Sequence, residues 1–480
     1  MAQMEREHLS VVMFPWLAHG HVTPYLELAR RLTSANDADI DVTVHLVSTP
    51  VNLSAIARHQ TPRIRFAELH LPAAPDLPPE LHTTKHLPAR LMPALKRACD
   101  LAAPRFGALL DEIRPDLLLF DFLYPWAPLE AAARGVPAAH LSTFSAAATS
   151  FVVHCLGRGR REGCAFPFRG VGFGSAEEEA KYMAQYILRE ELPDALVPER
   201  NRLLLSLARS SAFVAVKTCA DVERPYMDYL SELVGGNKEM VPVGPLLVDA
   251  DAAAAAAGGG TSSESESDRV MRWLDAQTPA SVVLVCFGSE YFMSEQQLAR
   301  MARGLELSGE RFVWVVRFPR ETEEGDEAAR ALPRGFAPAP GRGLVVEGWA
   351  PQRRILAHPA CGAFLSHCGW SSVLESLAAG VPIVALPLHI DQPLDANLAT
   401  ELGAAVRVQQ ERFGEFRAED VARAVRRAMR GEESHALRRR AAELREVVAR
   451  NDADDAQVAA LVQRMARLCG KGQQRVAVPN

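Results

Sequence analysis

Several features that mark large protein classes are scarce or missing in this chain. Its eight cysteines, at positions 99, 155, 164, 219, 286, 361, 368 and 469, are dispersed and contain no C-x-x-C pair, so a zinc ribbon is unsupported. Cys361 and Cys368 with His358 and His367 form one His/Cys cluster, but its spacing fits no common metal signature. Buried reduced thiols in a cytoplasmic protein, with no metal, are the expectation. No long Lys/Arg block is present and the net charge is −6, so nucleic acid is not an expected partner. The longest segment without Asp, Glu, Lys or Arg, residues 135–157, contains Pro137, His140 and His154 and makes a poor membrane span. The first residues, with Glu5, Arg6 and Glu7, lack a signal-peptide charge pattern and lead into what reads as an opening strand. Stable membrane association is not expected. No G-x-G-x-x-G follows that strand, where Ala18-His19-Gly20-His21 stands instead, and this disfavours a dinucleotide oxidoreductase.

What is present describes a globular protein of more than one domain. The chain has 480 residues, 48% apolar and 23% charged. Residues 252–268 read AAAAAAGGGTSSESESD, a low-complexity stretch that cannot bury enough apolar surface to offset its ordering entropy. On either side, short apolar runs alternate with helical patterns, which predicts an α/β chain of two Rossmann-like halves with parallel sheets. The expected division is a first domain over 1–248, a disordered linker over 249–268, a second domain over 269–451, and a C-terminal helix and tail over 452–480 that packs back on the first domain. In the first half, strands are expected at 10–15, 42–49, 116–120 and 212–217. A loop is expected at 16–23, with Pro24 opening the following helix. In the second half, strands at 281–287, 311–316, 343–347 and 362–366 precede a turn, a helix at 371–379 capped by Gly380, and a strand at 381–387. A second soft segment, 321–343, is expected to loop out between strands.

In open parallel sheets the ligand crevice lies beyond the carboxyl ends of the strands, so the strand-to-helix turns are where chemistry is sought. The first half offers His21 after its first strand and Asp121 after a later one. A carboxylate on one imidazole nitrogen fixes the tautomer and stabilises the imidazolium as the other nitrogen takes a proton. Equally, His21 reads as a turn residue and Asp121 as a helix cap. In the second half Ser371 and Ser372 open a helix whose N–H groups and dipole suit a diphosphate, with His367 and Gly369 at the same edge. Glu375, one turn deeper, is placed to accept ribose hydroxyls, although Ser372 to Glu375 is also a capping box. Trp349 and Trp370, by residue type alone, read more as core residues than as ligand platforms.

The joint arrangement is more informative. WAPQRRILAHPACGAFLSHCGWSSVLESLAAGVPIVALPLHIDQ, residues 349–392, closely resembles the signature box of plant secondary-product UDP-glycosyltransferases. PWLAHGHVTPYLELA, LLLFDFLYPWA and VCFGSE resemble the acceptor-side His loop, the Asp segment and the donor phosphate loop of the same family. The resemblance implies the GT-B fold, two Rossmann-like domains facing across a cleft, with the acceptor on the first and the UDP-sugar on the second. By the same resemblance, His21 is the general base and Asp121 its partner. Trp349 stacks on uracil beside Ala350 and Gln352, and Glu375 holds the ribose. Ser289, His367, Gly369 and Ser372 surround the diphosphate, while Trp370, Asp391, Gln392 and Thr143 contact the transferred sugar. Ser371 replaces the family's usual Asn, a departure that bears on donor choice.

The expected activity is inverting transfer of a sugar, glucose by the resemblance, from UDP-sugar to an acceptor hydroxyl. No cofactor or metal is expected, because Asp39-Ile-Asp41 and Asp249-Ala-Asp251 are poorly placed to hold Mg²⁺ beside a diphosphate. FGSEYFMSEQQLARMARGLELSGERFVWVVRFP most resembles the branch that extends the sugar of a flavonoid or terpenoid glycoside. The alternative is an aglycone glucosyltransferase acting on a phenolic or other hydroxyl. A non-catalytic UDP-sugar-binding protein would need the second-half box but neither His21 nor Asp121. A monomer is assumed.

Overall fold

The computed structural model describes residues 6–35, 40–85, 87–157, 165–187, 199–247, 266–288, 291–318, 332–333, 336, 338–339, 341–412, 414–452 and 455–471. The chain forms two compact units. One comprises Met1–Ala165, Leu188–Leu246 and Asn451–Asn480, and the other Phe166–Ile187 and Leu247–Arg450.

The first unit is built on seven strands, β1 (Glu7–Phe14), β2 (Ile40–Ser48), β3 (Ile64–Glu68), β4 (Leu117–Phe120), β5 (Ala138–Ser142), β6 (Phe213–Val216) and β7 (Glu239–Pro242), in the order 3-2-1-4-5-6-7. All their pairings are parallel. In β1, Leu9, Val11 and Met13 enter one core cluster while Val12 and Phe14 enter the other; in β4, Leu117 and Leu119 oppose Leu118 and Phe120. Successive side chains of a strand point to opposite faces, so a strand covered on both sides is apolar throughout.

The second unit repeats the plan with β8 (Val282–Cys286), β9 (Arg311–Val316), β10 (Gly343–Glu347), β11 (Cys361–Ser366), β12 (Ile383–Ala385) and β13 (Ala405–Arg407), in the order 10-9-8-11-12-13. These pairings are parallel too. Each sheet therefore reverses its winding once, at β1/β4 and at β8/β11, and these are the points where such sheets open a crevice.

Two differences from the sequence reading have physical causes, and two of its expected segments fall largely outside the described residues. The helix after β1, α1, spans His19–Ser34 and not Pro24 onward, with Pro24 inside it. The Ala18 carbonyl accepts the N–H groups of both His21 and Val22 at 2.9 Å, so the turn is closed before the proline is reached. Of the expected linker, 249–265 lies outside the described residues, whereas 266–268 begin the helix Glu266–Asp275. Much of the soft segment 321–343 also lies outside them. Finally, Phe166–Ile187, assigned by sequence to the first domain, belongs to the second unit, where the Asn397 side-chain amide donates to the carbonyls of Val171 at 2.9 Å and Gly172 at 3.1 Å. The helix Asp455–Leu468 places Val458, Leu461, Val462 and Met465, an i, i+3, i+4, i+7 stripe, in the core of the first unit.

Candidate functional site

β1 and β4 are neighbours, so the turns leaving them converge although His21 and Asp121 are 100 residues apart. His21 Nδ1 lies 2.7 Å from Asp121 Oδ2. Asp121 is 1% exposed, and its other oxygen accepts the Leu123 N–H at 3.3 Å, which holds the carboxylate in place. With Nδ1 donating to the carboxylate, the proton of a hydroxyl can be taken only at Nε2. Thr143, expected at the transferred sugar, places its hydroxyl 3.1 Å from the same Nδ1, as a second acceptor for that N–H. Phe144 meets the His21 ring edge-on with centroids 5.7 Å apart, and Phe122 flanks it at 6.3 Å. These two rings were not singled out by sequence, although each follows directly on a residue that was or ends a strand. Behind the pair, burial lowers the pKa of His140, whose Nδ1 donates to the Phe120 carbonyl at 2.9 Å.

The second unit has its own switch point. β11 runs into His367, then Cys368 with φ 64°, then Gly369, where the helix Trp370–Ala379 starts. The N-cap residue is Gly369, which brings no side chain of its own, and the start of a helix is a favourable place for an anion. A left-handed residue also leaves each neighbouring turn, Gly288 after β8 and Ile390 after β12, a conformation that turns successive N–H groups to one side. Burial, with the nearby His389 adding to it, pushes His367 down to about 3, so its imidazole is neutral at physiological pH. The ring is closely boxed: a Cβ at Gly288 or at Gly369 would stand 2.8 Å from Nε2, which explains glycine at both positions.

Glu375 does not close a capping box with Ser372. Its carboxylate accepts from the Gln352 side-chain amide at 2.8 Å, and the same amide reaches the Ser372 hydroxyl at 3.3 Å. These three side chains form one polar cluster beside the half-exposed Trp349 and the buried Ala350. Trp370 is buried, and Ser371 is half-buried in the first helical turn. Gln392 is committed locally, its oxygen accepting the N–H groups of Leu388 at 2.9 Å and His389 at 3.1 Å and its nitrogen 2.8 Å from His389 Nδ1. It thereby shapes the turn that presents Asp391, which lies at the start of the helix Gln392–Glu401. Ser289 lies outside the described residues.

The His/Cys cluster is dispersed in other contacts. His358 bonds Asp275 at 3.1 Å, the Cys361 thiol the Ala363 carbonyl and the Cys368 thiol the Ser366 carbonyl. Among the described residues no group of three His, Cys, Asp or Glu side chains is arranged to hold a metal ion. No helix among them is long and apolar enough to cross a membrane.

Two protein families match the chain: glycosyltransferase, N-terminal domain, over residues 7–248, and UDP-glucoronosyl and UDP-glucosyl transferase over residues 254–438. UDP-glucosyltransferase 29 of Panax ginseng is 36% identical over 469 residues, covering 96% of this chain and 97% of the relative. The beta-D-glucosyl crocetin beta-1,6-glucosyltransferase of Gardenia jasminoides is 38% identical over 427 residues, covering 87% and 90%. In fold, the chain is similar to a crystallised UDP-glucosyltransferase from Polygonum tinctorium capable of glucosylating indoxyl, with a TM-score of 0.77, 24% identity, and coverage of 98% of this chain and 100% of that one. Two Rossmann-like units of parallel sheet, with both family matches and these relatives, place the chain in the plant UDP-glycosyltransferase family, enzymes of the GT-B fold.

Proposed function

We propose that the protein transfers glucose from UDP-glucose, with inversion, to a sugar hydroxyl of a small-molecule glycoside. The observation that carries the proposal is the 2.7 Å contact between His21 and the buried Asp121. His21 Nε2 takes the acceptor proton as the hydroxyl oxygen attacks the anomeric carbon. Asp121 holds the ring in the tautomer required and stabilises its positive charge. The bond from the anomeric carbon to the phosphate oxygen breaks, and UDP carries away the electron pair. The N-terminal end of the helix Trp370–Ala379, with its dipole, and the neutral His367 meet the growing diphosphate charge. Trp349 carries the uracil, the cluster of Gln352, Ser372 and Glu375 receives the ribose, and Trp370 and Asp391 face the glucose, with Ser289 beside the diphosphate.

The choice of a glycoside acceptor is supported by the Gardenia relative, whose name describes sugar added to a glucosyl compound. A cytoplasmic location, a monomeric state and the absence of a resident cofactor or metal belong to the same proposal. The test supplies the enzyme with UDP-glucose and, in parallel, a flavonoid aglycone and its monoglucoside. Transfer to the monoglucoside is expected, and transfer to the aglycone alone overturns the acceptor class. Loss of turnover in His21→Ala is expected with UDP binding retained; a variant with normal turnover removes His21 as the base.

A further inference from the structure

We propose that Glu223, outside the proposed transfer machinery, is a positioning residue for His21, acting through the start of the helix Ala146–Leu156. The inference rests on His21 being the base. Glu223 is 0% exposed. One carboxylate oxygen accepts the Ala147 N–H at 2.8 Å and the other accepts the Thr218 hydroxyl, while the Ala146 N–H also points to the carboxylate. Ser145 takes the remaining first-turn donor, Ala148 N–H, at 3.0 Å. The helix start is therefore fastened by two side chains from different parts of the chain, and a carboxylate there is favoured by the helix dipole.

Three residues ahead of that start lies Thr143, whose hydroxyl bonds His21 Nδ1, and two residues ahead lies Phe144, whose ring packs on the imidazole. Only Thr143, Phe144 and Ser145 separate the end of β5 from the helix, so a shift of the helix start passes directly to both contacts. Burial raises the Glu223 carboxyl to about 7 even though three hydrogen bonds oppose the rise. A carboxyl group is thus kept in an unfavourable environment in which Ser145 already provides a conventional cap.

The experiment compares Glu223→Ala, Glu223→Gln and Thr143→Ala in the full chain, measuring kcat, the KM of UDP-glucose, the KM of a flavonoid monoglucoside and thermal unfolding. Glu223→Ala is expected to lower kcat about 10- to 100-fold, because small displacements of a catalytic group carry such costs. The UDP-glucose KM should stay within about twofold, since the nucleotide residues lie in the other unit. Glu223→Gln keeps one acceptor oxygen for Ala147, and roughly a threefold to tenfold loss is expected, intermediate between wild type and Ala. Thr143→Ala combined with Glu223→Gln should cost less than the product of the single losses, because both act on one ring.

A variant that unfolds earlier but keeps its kcat overturns the proposal, as do multiplicative losses in the double variant. Should Glu223→Ala not fold, an unchanged kcat in Glu223→Gln decides against it. Normal turnover in His21→Ala would instead remove the base assignment on which the inference stands, and the two failures are distinguishable.

Discussion

Replacing Asp121 by Asn tests the proposed chemistry most directly, because the substitution keeps shape and removes charge. The carboxylate has two hydrogen-bond donors in front of it, the His21 Nδ1–H at 2.7 Å and the Leu123 N–H at 3.3 Å. An amide has only one oxygen to offer. If that oxygen faces His21, the amide NH₂ meets the Leu123 N–H, donor against donor, at a site 1% exposed where water cannot intervene. If the oxygen faces Leu123, the NH₂ donates to Nδ1 and forces the imidazole proton onto Nε2, where it blocks proton uptake. In either orientation the imidazolium loses its counter-charge. A unit-charge pair about 4 Å apart at an effective dielectric near 20 is worth about 4 kcal/mol, and the remaining neutral hydrogen bond offsets part of this. A net loss of about 2–4 kcal/mol in transition-state stabilisation corresponds to roughly a 30- to 1,000-fold drop in kcat. Steady-state kinetics with UDP-glucose and a glycoside acceptor measure the drop, and calorimetric titration of UDP checks that the nucleotide site is intact. A kcat within about threefold of wild type, with UDP binding retained, would falsify the base-and-carboxylate mechanism.

Three further outcomes are expected. Gly288→Ala and Gly369→Ala each bring a Cβ to 2.8 Å from His367 Nε2 and should displace the ring, weakening UDP binding about tenfold, or roughly 1.4 kcal/mol; unchanged affinity in both variants would show that His367 does not shape the nucleotide site. Burial raises Glu223 from its ordinary 4.5 to about 7, so the folded protein holds this proton more tightly than the unfolded chain. The associated stability is present in full below about pH 4.5 and lost as pH rises toward 7, a change of about 3 kcal/mol, and Glu223→Gln should flatten that slope in urea titrations at pH 5 and pH 8. Ile390 is β-branched, has φ 54° and leaves 46% of its surface exposed, so Ile390→Gly relieves backbone strain while removing little packing. It should raise the unfolding free energy by about 1 kcal/mol in denaturant titration, and a lower midpoint would refute the strain assignment.

The amino-acid sequence by itself determined which residues stand at the ends of strands. LLLF, AFL and VVLVC are unbroken apolar runs, and strands covered on both faces need that pattern, so Asp121, His367 and Gly288 could be placed at or just past carboxyl ends from the sequence. Gly380 as a left-handed helix cap was legible for a similarly local reason. Short strands of small or mixed residues, such as β5 with AAHLS, were not, because their burial comes from neighbours far along the chain. The same limit applied to Pro24, where a helix already closed at Ala18 outweighs a single missing N–H.

Tertiary structure decided which of these ends meet. His21 and Asp121 come together because β1 pairs with β4 at the point where the winding reverses, a long-range choice that no local pattern encodes. It also decided between readings that residue types left open. Glu375 accepts from Gln352, Thr143 lies on His21, and Gln392 bonds the turn before Asp391. A side chain's role depends on the donors and acceptors that packing brings within about 3 Å of it, and in this protein most of those partners are supplied by strand order and loop packing and not by sequence neighbours.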